Sequence, residues 1–200
     1  MSSGFVSPPH PDRPSGPSRL ARILEPAEWA ATGIPPLCRP RRVVQELYDL
    51  HHPTPVTAVI AVLGPQERLV ASASFTPHAE APDGWCFRNA LLDQLRRVVP
   101  HDLRLRSPAR TAVLMHCRNG ETRWSDLDGA WMWGLRDACT LHGLRCGAYV
   151  VLTRAGWQVL GQEHGGRQPR AMTTTPARRP TVRGARPRRT TPGAHEPATG

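Results

Sequence analysis

The spacing of apolar residues changes rhythm repeatedly between residues 41 and 160, and each change predicts a new element. In RRVVQELYDL (41–50), Val43, Val44, Leu47 and Leu50 share one helical face. VTAVIAVL (56–63) is a short, almost unbroken apolar run, as expected of a strand buried on both faces. Gly64-Pro65-Gln66-Glu67 reads as a turn. RLVASASF (68–75) alternates, with Leu69, Ala71, Ala73 and Phe75 on one side, which predicts a hairpin partner. After a loop over 76–84, Phe87, Leu91, Leu95 and Val98 recur at helical spacing, with Arg88, Asp93, Arg96 and Arg97 turned outward. A connector over 100–108 leads to RTAVLMH (110–116), a second central strand. From 125 to 142, Leu127, Ala130, Trp131, Leu135, Ala138 and Leu141 predict another amphipathic helix, with Gly143 as its stop. CGAYVVLT (146–153), the turn Arg154-Ala155-Gly156 and WQVL (157–160) close the pattern with two strands.

The order β-β-α-β-α-β-β predicts an α/β (α+β) fold, a mixed β-sheet with helices packed on it, over residues 56–160. Residues 19–55 read as short helices and a linker; Leu20, Ile23, Leu24 and Ala27 suit a helix over 19–31, which Pro26 opposes. Residues 1–18 are rich in Pro, Ser and Gly, and 161–200 hold Thr, Pro, Arg and Gly with almost no large apolar side chains. Neither end has the means to bury a core, so both are expected to be disordered tails.

Charge changes this picture little. The 200 residues carry a formal +10, concentrated at the ends: residues 161–200 hold eight Arg against two acids, whereas 43–160 hold twelve against eleven. All 26 basic residues are Arg, whereas a chain selected for phosphate binding would normally mix in Lys; the pattern reads as GC-rich coding, and the high charge is discounted as a nucleic-acid signal. Arg178, Arg179, Arg183, Arg186, Arg188 and Arg189 give the tail the means to grip phosphates without sequence preference, yet no aromatic residue is interleaved to stack on bases. A solvated tail and a non-specific nucleic-acid contact both remain open. No run of 18 apolar residues exists, so no membrane partner is expected. The first residues lack the charged start and apolar core of a secretory signal. Five cysteines without a C-x-x-C pair suit cytoplasmic thiols.

The chemistry gathers in RTAVLMHCRNGETRWSDLD (110–128): an apolar strand ends in His116, a polar loop follows, and Ser125-x-x-Asp128 opens a helix. This is the layout of a strand-edge metal site. Taken with the hairpin VTAVIAVLGPQERLVASASF, the helix FRNALLDQLRRVV and the closing SDLDGAWMWGLRDACTLHGLRCGAYVVLTRAGWQVL, the segment over 56–160 resembles the JAB/MPN metallohydrolase superfamily, and is most similar to its RadC-like branch, found in bacterial genomes and mobile elements. The resemblance implies a zinc site with two His two residues apart, an Asp from the next helix, a metal-bound water, a general-base Glu on the early hairpin and an oxyanion-stabilising Ser.

Residue by residue, His116 matches the first His, Asp128 the Asp and Ser125 the Ser, across a loop one residue shorter than the family's. Arg118 stands where the second His belongs. No acid lies in 71–75, and Glu67 and Glu80 bracket that strand out of phase. A guanidinium donates only and cannot ligate zinc. The set therefore predicts a replacement ion pair, Arg118 with Asp128, and vestigial metal ligands at His116 and Asp128. The expected function is a catalytically inactive RadC-like domain, a binding or scaffold module associated with a protein partner, DNA or a mobile element. The alternatives are a divergent zinc peptidase or isopeptidase and a non-specific DNA-binding protein using its tail. No cofactor is expected, or zinc if the site works.

Blander readings stand beside these. Ser125 and Asp128 suit a helix N-cap as well as a site. His116 suits a strand-end residue bonded to the backbone. Cys117 is next to His116, but strand neighbours face opposite sides. A rearranged site would draw on His116, Cys117 and Asp126 or Asp128, or on distant Cys86 or His78. Trp131 lies on the buried face; Trp124 and Trp133 are either a binding surface or packing.

Overall fold

A computed structural model describes residues 22–77, 83–101, 103 and 107–170. Their elements in chain order are α1 (Pro26–Ala31), α2 (Pro40–His51), β1 (Ala58–Leu63), a 3-10 turn (Pro65–Glu67), β2 (Leu69–Phe75), α3 (Gly84–Val98), β3 (Thr111–Cys117), α4 (Asp126–His142), β4 (Arg145–Thr153), β5 (Gly156–Val159) and β6 (Gly165–Gly166). The strands form one mixed sheet in the order β2-β1-β3-β4-β5-β6. Only β3 and β4 run parallel, and α4 supplies the crossover that a parallel pair requires.

The apolar run at β1 is explained by its place. All six of its residues are buried, and successive side chains enter opposite cores. Ala58, Ile60 and Val62 join Phe87, Leu91, Leu95, Trp131 and Leu135 of α3 and α4 on one face. Val59, Ala61 and Leu63 join Val43, Val44 and Leu47 of α2 on the other. The molecule is therefore three layers deep, with helices on both faces of the sheet.

Several boundaries differ from the periodic reading. The helix expected over 19–31 starts only at Pro26, because proline is favoured at the first helical position rather than opposed there. Ile23 and Leu24 precede it in non-helical backbone; Leu20 lies outside the described residues. The folded unit is larger than 56–160: α2 covers a sheet face, Trp29 of α1 donates its indole N–H to the Leu160 carbonyl, and β6 adds a strand within the segment read as tail. Residues 1–18 and 171–200, including the six tail arginines, lie outside the described residues.

On α2, Leu50 is 58% exposed, since only Val43, Val44 and Leu47 reach the sheet. Val56 is exposed with φ 71°, and β1 starts two residues later. A register shift at Val62/Leu63 turns Leu69 away from Ala71, Ala73 and Phe75, so Leu69 packs in the α2 layer and the other three in the α3/α4 layer. Gln66 and Glu67 take left-handed φ of 58° and 57°. That turn brings the Glu67 carboxylate to the backbone N–H groups of Cys38 and Arg39, at the entry of α2, which has no side-chain cap of its own. The acid found out of phase with β2 is thus a helix-entry anchor.

Candidate functional site

The site forms where β3 ends and α4 begins, roofed by β4. His116 is the penultimate residue of β3 and is buried with the α3/α4 core. Cys117 enters the opposite core, where burial pushes its thiol up to about 12. It is neither a partner for His116 nor a ready nucleophile.

Beyond β3 the chain passes through Asn119 and Gly120, whose φ of 91° suits glycine, and returns to α4. Ser125 caps that helix. Its Oγ accepts from the Asp128 N–H at 3.4 Å, and the Asp128 carboxylate accepts from the Ser125 N–H at 2.9 Å, a reciprocal capping box. The cap holds Asp128 facing inward, and its side chain is 0% exposed.

Arg118 turns back onto this carboxylate. Its Nη2 donates to Oδ2 at 2.9 Å and its Nε to Oδ1 at 3.3 Å, a two-point ion pair; Nη2 also donates to the Arg123 carbonyl at 2.6 Å. Ser125 Oγ donates to Oδ2 at 2.6 Å. Tyr149, fully buried on β4, donates its hydroxyl to Oδ1 at 2.9 Å. The Tyr149 oxygen lies 3.1 Å from His116 Nδ1. A carboxylate only accepts, so the one phenolic proton goes to Asp128, and His116 must carry its hydrogen on Nδ1 to donate to Tyr149. His116 Nδ1 itself is 3.8 Å from Oδ1, beyond hydrogen-bond reach, and acts on the carboxylate through the tyrosine.

Burial alone would raise the Asp128 pKa. The nearby His116 ring N–H, the direct donors Ser125 and Tyr149 and the Arg118 charge together outweigh it and bring it down to about 2. Tyr149 is moved the other way, upward, by burial and by the adjacent carboxylate. At neutral pH the network thus holds an ionised Asp, a protonated Tyr and a guanidinium.

The residues present do not fit a zinc ion of the kind the resemblance implies. A permanent cation faces the carboxylate, and both carboxylate oxygens have donors. The Ser125 hydroxyl proton is committed to Asp128, which leaves none for an oxyanion. Asp126 is exposed in the first turn of α4 and Cys86 is exposed on α3; His78 and Glu80 lie outside the described residues. Among the described residues no three His, Cys, Asp or Glu side chains are grouped to hold a metal. Trp131 is fully buried, stacked on Phe87 at 3.8 Å; Trp124 and Trp133 are half-buried against the same core, and Trp133 meets Trp85 at 5.0 Å. His116 has a side-chain partner instead of the backbone one expected.

Tyr149 is the member that sequence reasoning missed. It pairs in register with Leu114, two residues before His116, which puts it on the His116 face. The signal is the alternation of β4, and it becomes readable only once β4 is known to lie beside β3. All five cysteines are free thiols, and no helix among the described residues is long and apolar enough to cross a membrane. No family model matches this chain, nor does any curated protein or solved structure.

Proposed function

We propose that this chain is a RadC-like JAB/MPN domain whose metal position is filled by an internal ion pair, and that it works as a binding or scaffold module instead of a hydrolase. The observation that carries the reading is the Asp128 carboxylate: fully buried, ionised, and satisfied by Arg118, Ser125 and Tyr149. A metalloenzyme needs that position open to a metal and a water. Here the same geometry ties the end of β3 to the start of α4 and stiffens the sheet edge above which the family's substrates would sit. Zinc chemistry is absent from the proposed role, and cytoplasmic location is part of the proposal, as the free thiols favour a reducing compartment.

The test is metal content together with zinc titration of purified protein. We expect substoichiometric zinc and a melting temperature that zinc does not raise. Stoichiometric zinc lost on His116→Ala, or a zinc-dependent rise in melting temperature, would return the chain to the hydrolases.

A further inference from the structure

Five arginines flank one side of the molecule away from the buried carboxylate. Arg39, Arg41 and Arg42 stand at the start of α2, and Arg167 and Arg170 follow β6; all five are exposed, and among the described residues none is in an ion pair. Exposed arginines elsewhere, among them Arg68, Arg96, Arg136 and Arg154, also have no ion pair among the described residues, so it is their grouping that sets these five apart. An unpaired cluster is electrostatically costly for the folded state and gains most from an anionic partner.

The surface between them is concave. A hollow of about 780 Å³ runs between α2 and the β5–β6 segment, with Arg41 on one wall and Arg167 and Arg170 on the other. A neighbouring hollow of about 640 Å³ shares Pro40, Arg41 and Gln45 with it and adds Arg39 and Arg42. The two make one groove with Arg41 at its middle. Glu163 is the one acid that lines the first hollow, and none lines the second.

The groove is held in shape. Gln45 Nε2 donates to the Arg170 carbonyl at 2.9 Å, which fastens the wall after β6 to α2. Gly165 and Gly166 bring bare backbone over Trp157, where a Cβ at Gly166 would come within 2.8 Å of the indole nitrogen. Trp157 lines the first hollow and is only 6% exposed. Its indole N–H has no acceptor among the described residues, which leaves a donor for a ligand oxygen.

We propose that this groove binds the phosphodiester backbone of a nucleic acid. Guanidinium forks match phosphate oxygens in pairs, whereas the buried Trp157 offers no ring face to a base, so contact is to the backbone and without sequence preference. The proposal does not depend on how the Asp128 site is read.

The test is fluorescence anisotropy of a labelled 20-base-pair duplex with the full chain, repeated across salt concentrations. Three phosphate contacts contribute about −2.7 to the slope of log affinity against log salt. The variant R41A/R167A/R170A should flatten the slope by about that amount and weaken binding at least tenfold at about 0.1 M salt. Glu163→Gln should tighten binding several-fold, a gain that no unfolding artefact mimics. Replacing the six tail arginines with alanine should leave the groove's share of the slope in place. An unchanged slope in the groove variant, binding abolished by the tail variant alone, or equal competition by polyglutamate would each overturn the assignment.

Discussion

Asp128 receives donors from three directions: Arg118 from the loop, Ser125 from its own helix start and Tyr149 from β4. Its folded-state pKa, about 2, lies below its ordinary 3.8, so its stabilisation is fully present above the ordinary value and is lost as pH falls toward 2. We expect urea denaturation of the wild type to lose about 2 kcal/mol from this group over that window. Asp128→Asn should remove that part of the acid limb; an identical pH slope in the two proteins would count against it. At neutral pH, Arg118→Ala should cost about 3–5 kcal/mol, because it strands a buried charge. Four members of the network were legible in the chain because His116, Arg118, Ser125 and Asp128 fall within thirteen consecutive residues of a strand–loop–helix pattern. Their mutual arrangement follows from chemistry, since a guanidinium near a carboxylate has few better partners. Tyr149 was not legible, as its position depends on a pairing 33 residues away.

At the scale of elements, α4 shows how periodicity underreads a helix with two neighbours. Leu127 and Leu141 were expected inward and are 37% and 47% exposed, while Met132 and Cys139 are buried. Helix α4 packs against both the sheet and α3, so its buried sector is wider than a stripe and includes glycine, which an apolar count passes over. A Cβ at Gly134 would lie 2.8 Å from the Arg88 backbone nitrogen and 3.1 Å from Phe87 Cβ. The two helices touch backbone to backbone there, and Phe87 then stacks on Trp131 with an interplanar angle of 11°. Gly134→Ala should separate them and cost roughly 1–3 kcal/mol by overpacking, despite alanine's better helix propensity. Thermal melting checks this; a melting temperature at or above the wild type's would show that the crossing has slack. Gly129 plays the same part for the segment before α1, where a Cβ would meet Ile23 and the Leu24 carbonyl.

For the whole molecule, a mixed sheet with helices packed on it was readable from the alternation of element types; that helices cover both faces emerges only with α2 in place against β1. Strand order and the outer limits were not readable. Helix α2 was legible as a helix but was assigned to the linker ahead of the domain, and a two-glycine strand carries no side-chain pattern at all. The order β2-β1-β3-β4 also fixes how the chain can assemble. β1 and β2 are joined by a short turn and close as a local hairpin, whereas β3 and β4 meet only after α4 has crossed between them. Arg118 and Asp128 are ten residues apart and Tyr149 is 21 residues beyond Asp128. Loop closure favours the nearer contact first. In chevron measurements, Arg118→Ala should therefore slow refolding, while Tyr149→Phe should act mainly by speeding unfolding. The clamp that joins loop to helix would then be the early event, and the strand that seals it the late one.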